Sequence, residues 1–326
     1  GISGSAIADT AAIGGLLIPP MIEQDYPADY SAAITASSAV IGIIIPPSIP
    51  FILYGIITST SIARLFLAGI IPGIIVGLAL MLTTYFTTKK HGYGHIVESE
   101  QVAEFTLGRL WKTFKRAWLA LTIPVLVVGG ILGGIFTATE AGVVAAFVAL
   151  LLGLFAYKEI TVKDLPAIFL ATAKTTAIVL FLCGMAMVTA WLLTMARVPF
   201  TLSNLLTSIT NSPIGVLLIA NVLLFLVGFV MDLTPAMLIL APILLPVMES
   251  VGVDPVYFGV IMSINLGIGL ITPPVGTVLY VATGVANITL EELVKSILPF
   301  LFTLLAVLGL LLAFPQLVMF IPNLVG

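Results

Sequence analysis

The chain has 326 residues, of which 60% are hydrophobic and only 8% charged, with a mean hydropathy of +1.24. A soluble domain carries about 25% charged residues, so a water-soluble globular protein is excluded and the bilayer becomes the solvent. A net charge of −3 without a basic patch excludes a nucleic-acid binder, and a lone Cys183 excludes an internal disulfide or a multi-cysteine metal site, leaving a small apolar residue within a helix.

In chain order, the sequence opens on Gly1-Ile2-Ser3-Gly4-Ser5 with neither Met nor signal peptide, which reads as a fragment lacking its N-terminal part. The apolar stretch 1–21 is interrupted by Ser3-Gly4-Ser5. The stretch 30–60 exceeds the roughly 20 residues a span needs but is broken at Ile45-Pro46-Pro47-Ser48. Two prolines remove two donors and disfavour helix for the residue before them. A plain span follows at 64–87, then a polar linker whose second half, Leu107 to Trp118, fits either an amphipathic surface helix or a solvated loop. His91 and His95 lie four apart in that linker, but Gly92 and Gly94 argue against the helix that a metal pair would need. Plain spans are expected at 117–136, 140–157, 176–195 and 297–321, with Thr137-x-x-Glu140 as a capping box and Trp111, Trp118 and Trp191 as interface anchors. The stretch 214–248 is interrupted at Asp232-Leu233-Thr234-Pro235, and 256–285 is broken at Thr272-Pro273-Pro274-Val275.

A shift of 227 positions lays Pro19 on Pro246, Tyr30 on Tyr257, Gly42 on Gly269, Pro46-Pro47 on Pro273-Pro274 and Pro72 on Pro299, without a gap. Each such residue sets a backbone feature, so the register marks a structural repeat. Lys and Arg favour the cytoplasmic side. If both interrupted stretches are re-entrant hairpins, 10 cations fall inside and only Arg64 and Arg197 outside, and the second repeat is inverted relative to the first. The expected fold is all-α: a polytopic membrane protein of inverted-topology repeats, with two hairpins and two broken helices. Its expected parts are 1–87 (first repeat), 88–116 (cytoplasmic linker), 117–213 (intervening helices) and 214–326 (second repeat).

Non-helical backbone persists in a membrane only where protein buries it or water reaches it, and paired broken helices point to a secondary transporter's site. The first pair of breaks offers Ser3, Ser5, Asp9, Gly42, Ile45, Pro47 and Ser48; the second offers Gly228, Asp232, Asn265, Gly269, Thr272 and Pro274. These are hard oxygen donors suited to a monovalent cation, with too few carboxylates for Ca²⁺ or Mg²⁺. An acid within a membrane segment is rare and usually functional; the structural alternatives are backbone capping near Ser5 for Asp9, and N-capping of a half-helix starting at Pro235 for Asp232. No cation lies deep in either repeat, and no phosphate-binding loop or hydrolase motif is present. A passive channel and a membrane-embedded enzyme using Asp9 and Asp232 are the rival readings. A channel lacks its charged ring or filter here, and an enzyme lacks a histidine at depth.

Gly1-Ile2-Ser3-Gly4-Ser5-Ala6-Ile7-Ala8-Asp9, Ile44-Ile45-Pro46-Pro47-Ser48-Ile49, Ala68-Gly69-Ile70-Ile71-Pro72-Gly73, Phe136-Thr137-Ala138-Thr139-Glu140-Ala141, Met231-Asp232-Leu233-Thr234-Pro235 and Gly269-Leu270-Ile271-Thr272-Pro273-Pro274-Val275-Gly276 together resemble the large membrane subunit of tripartite ATP-independent periplasmic (TRAP) transporters. The resemblance runs nearly end to end. It implies import of an organic acid, of the sialic acid or dicarboxylate class, with Na⁺ as coupling ion, by an elevator mechanism in the bacterial inner membrane. It also implies a small membrane subunit and a periplasmic substrate-binding protein as partners. Carried onto this chain, one Na⁺ would sit among Ser3, Ser5, Gly42, Ile45 and Pro47, and a second among Gly228, Asp232, Gly269, Thr272 and Pro274. The substrate would lie near Ser3, Ser48, Asp232 and Thr272, with Asp9 and Asn265 as further candidates.

Overall fold

The computed structural model describes residues 3–94, 107–210 and 212–325, apart from the side chains of Arg109, Arg116, Leu206 and Thr207. Gly1, Ile2, His95 and linker residues 96–106 lie outside that range, and the spacing of His91 to His95 with them. All regular structure among the described residues is helical, and six helices are long and apolar enough to cross a membrane. The chain divides into two compact units, Gly1–His95 with Met185–Gly326, and Ile96–Gly184.

The first unit holds both repeats. α1 (Ala6–Glu23), α2 (Ala28–Gly42), α3 (Ile49–Thr58) and α4 (Ile62–His91) form the first; α10 (Leu233–Ser250), α11 (Pro255–Gly269), α12 (Thr277–Ala286) and α13 (Leu290–Ala313) form the second. Under the shift of 227, α10 and α11 begin and end on the equivalents of α1 and α2, and α12 is displaced by one residue from α3. α2 and α11 have 15 residues each, about 22 Å of helix at 1.5 Å per residue, which is short of the roughly 30 Å hydrocarbon core. Each needs its half-helix, α3 or α12, to complete the crossing. The Pro46-Pro47 and Pro273-Pro274 bonds between them are both cis.

Packing within this unit is reciprocal. α1 packs on α12 as α10 packs on α3, and α2 packs on α13 as α11 packs on α4. Such an exchange of partners is the mark of a two-fold relation. Val40 and Gly267, equivalent under the shift, touch: a Cβ on Gly267 would lie 3.4 Å from Val40 Cγ1 and 2.3 Å from Ile43 Cδ1. The pseudo-axis therefore passes beside both breaks. Tyr54, late in α3, donates to the Pro255 carbonyl at the start of α11 (2.9 Å), while Val285, late in α12, meets Thr35 of α2 over Gly14. The two broken helices thus run past each other in opposite directions. α11 is buried on every face, its two polar side chains Ser263 and Asn265 included, as befits a central helix that is apolar nearly all round.

Charge follows the ends. Ser296 of α13 donates to Asp29 of α2, and Tyr30 donates to the Thr84 carbonyl of α4 (3.2 Å), which gathers Lys89, Lys90 and Lys295 at one end. Arg197 lines a cavity with Pro246 and Ser250 at the end of α10, and Arg64 follows α3, whose Tyr54 reaches Pro255; these two cations share the other end. α8 (Val198–Ile209), α9 (Pro213–Gly228) and α14 (Pro315–Val325) complete the unit.

The second unit contains α5 (Leu107–Leu132), α6 (Ala138–Leu151), whose end turns into a short π-helix, Leu152–Ala156, and most of α7 (Leu165–Met195). Three expected boundaries are corrected here and in the first unit. The segment from Leu107 and the span expected at 117–136 are one helix, ending before Gly134 at φ +66°, a left-handed position glycine accepts readily. The span expected at 176–195 begins at Leu165, because Pro166 is tolerated in a first turn. The span expected at 297–321 breaks at Phe314 (φ −126°, ψ 74°), since the proline after it drives that residue out of the helical region. The capping box is present: Glu140 accepts from the Thr137 amide (2.8 Å), and Thr137 Oγ1 accepts from the Glu140 amide (3.3 Å).

Candidate functional site

The first tip lies against the first break. Gly4, at φ +70°, sits so close that a Cβ there would be 2.8 Å from the Pro47 carbonyl oxygen and 2.9 Å from the Ile49 amide nitrogen. Ser3 and Ser5 are thereby held beside Pro47. Ser3 Oγ donates to Asp9 Oδ1 (2.8 Å) and accepts from the Ser5 amide (3.1 Å). Ser5 N-caps α1 through the Ala8 amide (3.4 Å). Asp9 is buried in the first turn of α1 and accepts from the Ser3 hydroxyl.

Ser48 is fully buried, donates to the Ile43 carbonyl (2.6 Å) and accepts from the Phe51 amide (3.3 Å), so its visible work is to close the break and cap α3. Gly42 ends α2. The Ile44 carbonyl oxygen lies over Gly69, where a Cβ would approach it to 2.3 Å, and Ile45 packs on Gly73 in the same way (2.3 Å). The glycines of α4 therefore let it approach the broken backbone directly.

The second cluster repeats this plan with different chemistry. Gly228, ending α9, meets Gly269, ending α11: a Cβ on Gly269 would be 2.8 Å from the Gly228 Cα and carbonyl oxygen. Thr272 Oγ1 donates to the Ile268 carbonyl (2.6 Å), and a Cβ on Gly276 would lie 3.0 Å from the Thr272 carbonyl oxygen. Asp232 occupies the N-cap position of α10, whose first residue is Leu233 rather than Pro235, and its side chain makes no capping bond. The ordinary N-cap acceptor bonds N2 or N3; here N3 is Pro235, which has no N–H. Asp232 Oδ1 instead accepts from Thr277 Oγ1 of α12 (3.0 Å). Asn265 lies one turn before Gly269, away from the tip. Its Nδ2 donates to Asn221 Oδ1 (2.8 Å) and to the Asn221 carbonyl (2.9 Å), and its buried Oδ1 has no donor among the described residues.

Thr277 and Asn221 escaped the sequence reading. Asn221 carried a signal, being a lone amide in the apolar run of α9. Thr277 carried none, because its repeat equivalent is Pro50. A separate cleft of about 690 Å³ lies between α2 and α4, lined by Ser38, Leu80, Met81 and Lys89 rather than by either tip. His91, singled out in the linker, bonds the Thr87 carbonyl through Nδ1 (3.0 Å) and stacks on Tyr93. Among the described residues no three His, Cys, Asp or Glu side chains converge, so the donor set at the tips is one of hydroxyls, carbonyls and single carboxylates, which fits a monovalent cation better than a divalent one.

Comparison with known proteins gives a consistent picture. Residues 1–317 match the family model described as "Tripartite ATP-independent periplasmic transporter, DctM component". The chain is 42% identical over 317 residues to the 2,3-diketo-L-gulonate TRAP transporter large permease protein of Escherichia coli, covering 97% of this chain and 73% of that protein. It is 44% identical over 319 residues to the isethionate TRAP transporter permease protein DctMQ of Oleidesulfovibrio alaskensis, covering 98% of this chain and 49% of the relative. It is 39% identical over 324 residues to the sialic acid TRAP transporter large permease protein of Vibrio cholerae, covering 99% of this chain and 74% of the relative. These relatives are permeases and not enzymes, and this chain, multi-pass and all-helical, belongs to the DctM component family of tripartite ATP-independent periplasmic transporters.

Proposed function

We propose that this chain imports an organic acid together with Na⁺, as the large subunit of a tripartite system in the bacterial inner membrane. The observation that carries the reading is the pair of tip-and-break clusters around one pseudo-two-fold axis, each with an acid and freed backbone oxygens, and neither with a buried Lys or Arg. With no guanidinium to hold it, a carboxylate substrate leans on bound Na⁺, hydroxyls and half-helix N-termini. That dependence couples the two: the acid binds well only after the cation. Ser3, Ser5, Gly42, Ile45 and Pro47 would contribute to one Na⁺ site, and Gly228, Asp232, Gly269, Thr272 and Pro274 to the other. Ser3, Ser48, Asp232 and Thr272 border the substrate position.

In this reading the two tips and the two broken helices carry the site in an elevator, and helices 64–87, 117–136 and 140–195 divide between its scaffold and connecting arms. A small membrane subunit and a periplasmic binding protein complete the system, a reading motivated by the tripartite periplasmic description of the family and the names of the relatives. The substrate class follows the relatives named for 2,3-diketo-L-gulonate and sialic acid. Uptake of labelled acids into proteoliposomes of the complete complex tests the proposal. Saturable uptake that requires both a Na⁺ gradient and the binding protein, and that is lost in Asp232→Ala protein which still inserts, is the expected result. Non-saturable flux indifferent to both would favour a channel instead.

A further inference from the structure

We infer that Thr277 is a positioning residue for cation binding, acting through Asp232; the inference rests on the Na⁺-coupled reading above. Three observations combine. First, Asp232 stands at an N-cap but is denied the usual bond to N3, because Pro235 has no N–H. Thr234, at N2, keeps its N–H, but the carboxylate makes no capping bond to it either. Second, Thr277 supplies a partner from a different element, its Oγ1 donating to Oδ1 at 3.0 Å across 45 residues of chain. Third, Thr277 is held in place by its neighbour: Gly276 adopts φ +36° and lies against the Thr272 carbonyl, so the first residue of α12 is fixed relative to the second break.

The hydroxyl has one proton to donate and gives it to Oδ1, so Oδ2 is left to face a cation. Losing the donor would free the carboxylate to rotate about its χ angles, and the binding geometry would have to be re-established each time a cation bound. The arrangement is specific to the second repeat. In the first, the equivalent of Asp232 is Ser5, which does cap its helix, and the equivalent of Thr277 is Pro50, which has no hydroxyl. This departure from repeat symmetry predicts unequal roles: the side-chain bond that orients Asp232 spans two elements, whereas the side-chain bonds of Ser3 and Ser5 stay within α1 and the residues just before it.

The test is Na⁺-dependent uptake by the complete complex in proteoliposomes, with Na⁺-dependent thermal stabilisation of the purified protein as a readout independent of transport. Thr277→Val keeps the shape and deletes the hydroxyl. It is expected to raise the half-saturating Na⁺ concentration roughly tenfold or more, the scale of one hydrogen bond to a charged group, while the maximal rate at saturating Na⁺ falls far less. Thr277→Ser is expected to restore the Na⁺ constant towards that of the parent. An unchanged Na⁺ constant in Thr277→Val, or a Thr277→Ser constant as weak as that of Thr277→Val, overturns the inference. Asp232→Asn separates the levels: if it too keeps the parental Na⁺ dependence, the placement of the cation at this cluster fails; if it loses Na⁺ dependence while Thr277→Val does not, only the role of Thr277 fails.

Discussion

Two buried contacts carry consequences at the scale of single residues. Gly69 faces the Ile44 carbonyl, and an added Cβ would sit 2.3 Å from that oxygen and 2.6 Å from the Phe51 ring. Neither neighbour can retreat, since one is backbone at the break and the other is a fully buried ring. Gly69→Ala is therefore expected to destabilise the protein by about 1–3 kcal/mol or more, read as a lower thermal midpoint in detergent; a parental midpoint would show that the break is looser than described. Asn221 and Asn265 present the complementary case of a polar pair in an apolar interior. Asn265→Leu strands Asn221 Oδ1 and should cost roughly 1–3 kcal/mol, whereas the double replacement by Leu should recover part of the loss. A double-mutant cycle measures the coupling, and additive effects would contradict the bond.

At the scale of elements, half-helices need ends that hold without the rest of a span. α3, α1 and α11 obtain them from Ser48, Ser5 and Asp254, and α13 from a capping box in which Glu292 accepts from the Thr289 amide (2.8 Å) and Thr289 accepts from the Glu292 amide (3.3 Å). Thr289→Ala is expected to cost about 1 kcal/mol of stability, checked by the same thermal measurement, with no change in Na⁺ dependence because α13 begins far from the tips. Much of this level was legible in the sequence. The double prolines marked both breaks, and Thr137-x-x-Glu140 marked a helix start. Apart from α5, which ends before Gly134, the misplaced boundaries came from prolines whose position within a helix decides their effect. Pro235 falls in a first turn and is accommodated, so α10 starts earlier than it; Pro315 falls past a helix end and stops α13. Local sequence names the proline, but the turn it occupies depends on what precedes it.

At the scale of the molecule, the repeat governs both architecture and charge. Lys89, Lys90 and Lys295 collect at one end of the first unit, and Arg64 and Arg197 at the other; the expectation that the Lys end is cytoplasmic rests on the preference of Lys and Arg for that side. On a Cys183→Ala background, Lys295→Cys is expected to react with a membrane-impermeant maleimide only from the cytoplasmic side, and Glu249→Cys only from the opposite side; labelling of both from one side would dismiss the inverted arrangement. The division into two units is not visible in composition, because the helices of both are equally apolar. It follows from which surfaces meet. Whereas α11 is buried throughout, α7 exposes apolar side chains around its whole circumference, a surface that lipid or another subunit can cover without cost in a bilayer.

By itself the sequence determined the solvent, the helical class, the repeat at a shift of 227 positions and the two breaks. Each of these follows from local quantities: hydropathy, the missing N–H of proline and the freedom of glycine. It also named Asp9 and Asp232, since an acid in an apolar stretch is conspicuous without any structure. Only the tertiary structure decided what those acids touch. Ser3 reaches Asp9 because the first tip folds back on itself, and Thr277 reaches Asp232 because two broken helices crossing about a pseudo-axis bring α12 to the start of α10. That second contact joins residues 45 apart with no counterpart in the other repeat, so neither periodicity nor symmetry could announce it; it exists through the packing of several helices at once.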